Sequence, residues 1–323
     1  LAKPGEAPRV AYYGARLNER QGSEVWWTHA SRDEEAYKTF NGSTAGFTAL
    51  NVQHADGQIA LDLQVTGVKR QQTDGGEQVT IETKDKVMPF YVNLCYRTYE
   101  TSDVIEAWTE IRHQEKKDVM LTKYASAQLP VTGPDVWVSS FYGGWGSEAS
   151  VDETRLTKAG LVVTAHDGVC NAHESRADLM LSLDGKQREN DGRTIGAALC
   201  WSGNYRLALA SDKANPDNHT LMAGIDDEFP YYLKAGVTFR TPELAFTYSH
   251  EGRGGVSRNM HHWARHYKIH NGTAPRDVLL NSWEGVYLAI TEEKMKTLMK
   301  GVADIGGELF VMDDGWFGNK YER

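Results

Sequence analysis

The sequence predicts a mostly β protein: a large antiparallel sandwich, a linker helix, and the first β-α-β unit of a parallel α/β domain. Three observations carry this fold class. Short runs of alternating apolar and polar residues, separated by turn signals, fill residues 8–250. Near residue 255 the apolar spacing changes from two to between three and four. From residue 276 a short apolar run, a capped helix and a second apolar run succeed one another, the signature of a right-handed parallel crossover. The boundaries read as 1–252 for the sandwich, 253–275 for the linker helix and 276–323 for the start of the second domain. A chain of 323 residues exceeds the usual size of one core, so division into domains is expected.

The strands come first. Ile59 to Val65 alternates, and so does Gln78 to Thr83 after the turn residues Asp74-Gly75-Gly76. Pro89 to Tyr96 and Asp103 to Ile111 follow, then Thr194 to Trp201, Tyr205 to Ala210 and Lys234 to Ser249. Such a series over more than 200 residues predicts a sandwich larger than an immunoglobulin-type domain. The linker helix is expected over Val256–Lys268, with Met260, Trp263, Ala264 and Tyr267 on one face and Asn271-Gly272 closing it.

In the last segment Asp277 to Trp283 reads as a strand and Thr291 as the N-cap of a helix, with Glu292 and Glu293 in its first turn. Met295, Leu298, Met299, Val302 and Ile305 mark the apolar face, Gly306-Gly307 stops the helix, and Leu309 to Met312 forms a second buried strand. Parallel strands are buried on both faces, so a two-stranded unit needs further strands and helices. The second domain is therefore expected to be incomplete. No initiator Met or apolar signal-like segment opens the chain, so a presequence removed or never included is expected, and the compartment stays undefined.

Composition narrows the function. The net charge of -9, spread along the chain, excludes the basic footprint that nucleic acid requires. No apolar run approaches a membrane span. The cysteines Cys95, Cys170 and Cys200 are too few for a disulfide framework and read as buried small hydrophobes. Nine Trp and fifteen Tyr supply many rings, most for the core and some for the C–H face of a sugar.

Chemistry concentrates at the ends of the two parallel strands, where parallel α/β folds bind ligands. The first ends in Asn281-Ser282-Trp283-Glu284 and the second in Asp313-Asp314-Gly315-Trp316-Phe317. Ionised carboxylates accept short hydrogen bonds from vicinal sugar hydroxyls, and Trp283 and Trp316 offer ring faces beside them. A metal competes for adjacent aspartates, but the run lacks the rhythm of a calcium loop and no His pair stands at ligand spacing nearby. No metal or cofactor is expected.

Residues Val278 to Glu284 and Glu308 to Gly318 resemble the opening of the catalytic barrel of family 36 glycoside hydrolases, the α-galactosidases. Asn51 to Gly57, Trp201 to Tyr205, Tyr232 to Glu243 and Trp263 to Tyr267 resemble landmarks of that family's N-terminal domain. The resemblance implies a β-supersandwich, a linker helix and a truncated (β/α)8 barrel. It implies retaining hydrolysis of terminal α-linked galactose in oligosaccharides such as melibiose or raffinose, through a nucleophile and an acid/base carboxylate. Carried over by position, Asp313 and Asp314 match the pair that binds galactose hydroxyls, and Trp283 lines the pocket with Trp316 beside it. None of these is catalytic. Both catalytic aspartates are expected beyond Arg323, so the 323-residue chain alone is expected to be inactive. Two segments depart from the family pattern: Ser147 stands where an arginine is frequent in Gly144-Trp145-Gly146-Ser147-Glu148, and Gly42 to Phe47 replaces a segment that enters a neighbouring subunit in family tetramers. A homo-oligomer thus stays open. The alternatives are a carbohydrate-binding sandwich without catalysis, and another α-glycosidase or galactosyltransferase of the same architecture.

Overall fold

The computed structural model describes residues 1–22, 35–41, 47–148, 150–170, 175–225 and 228–317. The chain divides into two compact units, Leu1–Tyr267 and Lys268–Arg323.

In the first unit, ten strands form one sheet. Nine run in the hydrogen-bonded order Leu63–Thr73, Gly76–Asp85, Phe90–Tyr99, Ser102–His113, Leu244–Ser249, Thr194–Leu199, Ser175–Ser182, Trp137–Tyr142 and Ser150–Arg155, and Thr238–Arg240 adds to Ser102–His113. Two smaller sheets oppose it. One contains Leu161–Ala165, Tyr205–Ser211, Asn218–Ile225 and Ala127–Thr132; the other contains Leu50–Gln53, Val119–Tyr124 and Tyr231–Leu233. All these strand pairings are antiparallel, and neighbouring strands join through short turns such as Asp74-Gly75, where Gly75 adopts a φ of 70° that glycine takes without strain.

The large sheet is long enough to back both small ones, and each interface has its own core. Leu129, Leu207 and Leu221 meet Leu179, Ile195 and Phe246 in the first core. Leu50, Leu121 and Leu233 meet Phe90, Val92 and Ile111 in the second. Each such side chain contributes about 1.5–3 kcal/mol by leaving water, so the double interface is what holds a sheet of this width. This is the supersandwich. Beneath the second core, His54 Nδ1 lies 2.7 Å from Glu115 Oε1, and the Ala55 N–H donates to Glu115 Oε2 at 2.8 Å. Both side chains are buried, so the pair ties the Leu50–Gln53 edge to the segment after Ser102–His113.

Several expected boundaries shift. The alternating run Ile59 to Val65 enters the sheet only at Leu63. Its earlier donors go elsewhere: Leu61 N–H to Phe40 O at 2.7 Å and Asp62 N–H to Asp85 Oδ1 at 2.7 Å. Lys234 to Ser249 is two strands rather than one, Thr238–Arg240 and Leu244–Ser249, because between them the Thr241 hydroxyl takes the Thr109 N–H at 2.9 Å and interrupts the ladder. Of the cysteines, Cys95 is buried and its thiol is pushed up to about 12 by burial, with Glu110 a lesser cause. Cys200 is exposed, one residue beyond its strand, against the expectation of burial, and the backbone of Cys170 lies in the 3-10 turn Gly168–Cys170 rather than in a strand.

The helix spans Gly252–Trp263 and continues as a π turn over Ala264–Lys268. It begins four residues before the expected start. Its early glycines are needed for contact: a Cβ on Gly255 would lie 2.1 Å from Ser249 Oγ, and one on Gly254 would lie 2.8 Å from Glu189 O. Trp263 packs with Val104 and Ala245, flanked by Met260, Ala264 and Tyr267, the face its spacing predicts.

In the second unit Leu279–Asn281 and Leu309–Val311 pair in parallel, with Asn281 opposite Val311. Between them lie a short helix, Trp283–Val286, and the crossover helix Glu292–Asp304. Thr291 caps the latter, its hydroxyl accepting the Lys294 N–H at 3.3 Å. Met295 and Val302 are buried, while Met299 and Ile305 of the expected face are exposed. Gly306, at φ 86°, ends the helix, and the Gly307 N–H returns to Val302 O at 2.8 Å.

Candidate functional site

The two strand ends are joined by a chain of hydrogen bonds. Ser282 N–H donates to Val311 O at 2.9 Å, prolonging the parallel ladder by one residue. The Ser282 hydroxyl, 1% exposed as a residue, accepts the Asp313 N–H at 3.0 Å. Asn281 then bridges: its Nδ2 donates to Asp313 Oδ2 at 2.6 Å and its Oδ1 accepts the Trp283 N–H at 2.8 Å. The other Asp313 oxygen, Oδ1, accepts the Asp314 N–H at 2.6 Å. The amide of Asp314 foremost, and that of Asn281 after it, hold the Asp313 carboxyl below its ordinary range. Asp313 is thus an ionised acceptor in a fixed orientation.

The backbone dictates the turn after Asp314. Gly315 sits at φ 101°, and a Cβ there would come within 3.0 Å of Leu288 Cα, so only glycine fits the reversal. Beyond it Trp316 is 67% exposed and meets Phe317 edge-on, ring centroids 5.4 Å apart. Trp283 is half-buried and packs edge-on against Tyr287 at 5.3 Å.

The arrangement brings Asp313 directly against Asn281, Ser282 and, through Asn281, the backbone of Trp283. Asp314 and Trp316 come next on the same turn. Sequence reasoning named the carboxylates and the rings but not the roles of Asn281 and Ser282. Their signal was available: Asn and Ser as the last residues of one parallel strand, level with the residues that precede the aspartates on the next. Chemically, the site offers a charged acceptor with fixed geometry next to exposed aromatic faces, which suits vicinal hydroxyl donors on a ring with an apolar side. Among the described residues, no three His, Cys, Asp or Glu side chains group as a metal site.

The segments that resemble family landmarks also have definite local structures. Trp201 Nε1–H donates to Asn204 O at 3.1 Å and Asn204 Oδ1 accepts the Gly168 N–H at 2.8 Å. At Gly144 to Glu148 the Ser147 N–H closes a turn on Gly144 O at 2.9 Å, and Glu148 Oε1 accepts the Gly146 N–H at 3.0 Å, in the place where an arginine is frequent one residue earlier. Residues 42–46 and Gly318 lie outside the described residues. Among the described residues, no helix is long and apolar enough to cross a membrane.

Comparison with known proteins bears on the family and the fold. Residues 6–234 match the family model described as Glycosyl hydrolase family 36 N-terminal domain, and residues 238–323 match the one described as Melibiase. Alpha-galactosidase 1 of Pediococcus pentosaceus is 28% identical over 302 residues, covering 86% of this chain and 40% of that protein. The bifunctional alpha-galactosidase/sucrose kinase AgaSK of Mediterraneibacter gnavus is 28% identical over 289 residues, 84% of this chain and 30% of that protein. The crystal structure of the GH36 alpha-galactosidase AgaA from Geobacillus stearothermophilus superposes with a TM-score of 0.85 at 22% identity, covering 98% of this chain and 48% of that one, a likeness of fold. A variant of that enzyme has been solved in complex with raffinose, with the same TM-score of 0.85, 21% identity and the same coverage, 98% and 48%. The chain spans less than half the length of each of these relatives.

Proposed function

Because the chain belongs to glycoside hydrolase family 36, we propose that the protein is a retaining α-galactosidase that releases terminal α-linked galactose from oligosaccharides. The single observation that carries the substrate class is the Asp313 carboxylate, held by Asn281 at 2.6 Å and by the Asp314 N–H at the mouth of a parallel strand pair. Asp313 and Asp314 grip ring hydroxyls, and Trp283 and Trp316 supply apolar faces to the same sugar. The nucleophile and the acid/base are assigned to no residue of this chain. In this reading residues 1–252 form the supersandwich, 253–275 the linker helix and 276–323 the opening of the (β/α)8 catalytic barrel.

Specificity follows from orientation. A carboxylate that two amides have already fixed loses little freedom on binding, so a hydroxyl of the wrong configuration leaves it unpaired rather than letting it turn. Galactose is therefore expected to inhibit more strongly than glucose. The test is hydrolysis of an aryl α-galactoside by the intact protein, with Asp314→Asn beside the parent. We expect kcat/KM to fall by the equivalent of about 2–4 kcal/mol, the scale for neutralising a charged hydrogen-bond partner in a pocket. A near-normal kcat/KM in the variant, or equal inhibition by galactose and glucose, would sink this role.

A further inference from the structure

Away from the strand ends, three turns meet at one end of the first unit. The turns after Gly76–Asp85 and after Ser102–His113 are joined by the Gln114 N–H, which donates to Pro89 O at 2.8 Å. The turn between Tyr231–Leu233 and Thr238–Arg240 is joined to them by the Gly236 N–H, which donates to His113 O at 2.9 Å. These turns and the strand ends beside them carry Lys84, Lys86, Arg112, Lys116, Lys117 and Lys234. All but the half-buried Arg112 are exposed, and none of them has an ion pair or a side-chain hydrogen bond among the described residues. Lys84 lies opposite Tyr91, and Tyr91 opposite Arg112, so these side chains share one face of the sheet. The Arg112 guanidinium stands 4.0 Å and the Lys84 ammonium 5.9 Å from the centre of the Tyr91 ring.

Two carboxylates of the same turns are buried and already engaged. Asp85 accepts the Asp62 N–H at 2.7 Å, the Val87 N–H at 2.9 Å and the Met88 N–H at 2.6 Å, and Glu115 is held by His54. Of the other acids in or bonded to these segments, Asp118 is exposed and Asp62 half-buried. The end is therefore basic in a chain whose net charge is -9. It is also tipped with apolar side chains: Val87 is 83% exposed and Val237 46%. The Asp85 carboxylate fixes the turn that carries Val87, so this side chain is held in water among cations, where folding gains nothing from it.

We propose that this end of the sandwich docks on the surface of an anionic lipid bilayer. The lysine ammoniums lie against headgroup phosphates, and Val87 and Val237 pass beneath them to the acyl boundary. A nucleic acid or an anionic glycan would answer the charge but leave both valines against polar groups, so the apolar tips decide for the bilayer. Each cation beside an anionic surface strengthens partitioning about fivefold, so the cluster suffices without a membrane-crossing helix. The docking is independent of the hydrolytic reading, because it concerns a surface of the first unit alone.

The test is co-sedimentation of the intact protein with vesicles of phosphatidylcholine and phosphatidylglycerol, and with vesicles of phosphatidylcholine alone. Binding is expected on the first and not on the second, and half-molar salt should abolish it by screening. Lys116→Gln combined with Lys117→Gln should weaken it about 20- to 30-fold. Val87→Ser should weaken it about three- to tenfold, with both folds verified by circular dichroism. Absence of binding to anionic vesicles, equal binding to neutral ones, or insensitivity to the lysine substitutions would each overturn the docking. Full retention of binding in Val87→Ser would overturn it too, and would reassign the surface to a soluble polyanion.

Discussion

In the first unit Leu179, Ile195 and Leu221 are at most 2% exposed, whereas in the second Leu279, Leu309 and Met312 are 49%, 42% and 47% exposed. The residue types are the same, and the strand geometry differs. Antiparallel strands pair through local turns, and the ten-stranded sheet meets its two smaller partners within one stretch of chain, so each apolar face finds its cover. A parallel pair has two apolar faces and needs layers on both, which one crossover helix does not supply. The contrast extends to function. The first unit is ordered by packing, and the strand ends of the second are ordered by a short list of polar contacts around Asp313.

If that contrast is right, substitutions should act on different observables in the two units. The largest effect is expected for Glu115→Ala, which strands His54 with no carboxylate at 0% side-chain exposure. Removing one partner of a buried pair costs about 3–5 kcal/mol. Denaturant unfolding followed by circular dichroism should register it as a lowered midpoint of the β-rich transition. A loss below about 1 kcal/mol would mean the pair does not tie the sandwich together.

A smaller and differently placed effect is expected at Gly315→Ala. At φ 101°, with the Leu288 backbone 3.0 Å from a new Cβ, the substitution costs about 1–3 kcal/mol of local strain. It should reduce galactose affinity by displacing the turn after Asp314 while leaving the main unfolding midpoint of the sandwich in place. An equal fall in both would break the distinction between a packed unit and a polar-ordered site.

The smallest effect concerns pH. Burial holds the His219 imidazole below its ordinary 6.5, so the folded protein binds that proton less readily than the unfolded chain. Stability from this group is full above 6.5 and is lost as pH falls below it, through the depressed folded value. Unfolding midpoints measured from pH 7.5 to 5 should decline less steeply in His219→Gln than in the parent. Identical slopes would remove His219 as a cause.

Much of this was legible in the residues. Asp74-Gly75-Gly76 announced a hairpin, Thr291 a helix start, and Met260, Trp263 and Tyr267 a helix face, because each depends on neighbours within about a turn of chain. Asp313 and Asp314 stood out for the same reason, closing an apolar run. The exit of Ile59–Asp62 from the sheet was not legible, since its donors are claimed by Phe40 and Asp85, more than twenty residues away. Nor was the early start of the Gly252–Trp263 helix, whose glycines look unfavourable until Ser249 and Glu189 are seen against them.

The sequence by itself determined the antiparallel sandwich, the capped crossover and the carboxylate pair, all properties of periodicity and local chemistry. Only the tertiary structure decided that one sheet backs two others, that Glu115 meets His54 across 61 positions, and that Asn281 and Ser282 orient Asp313. Those outcomes depend on which strands lie side by side. Register brings distant residues within hydrogen-bond reach, and no local pattern of residues encodes the distance between two strands that the chain visits far apart.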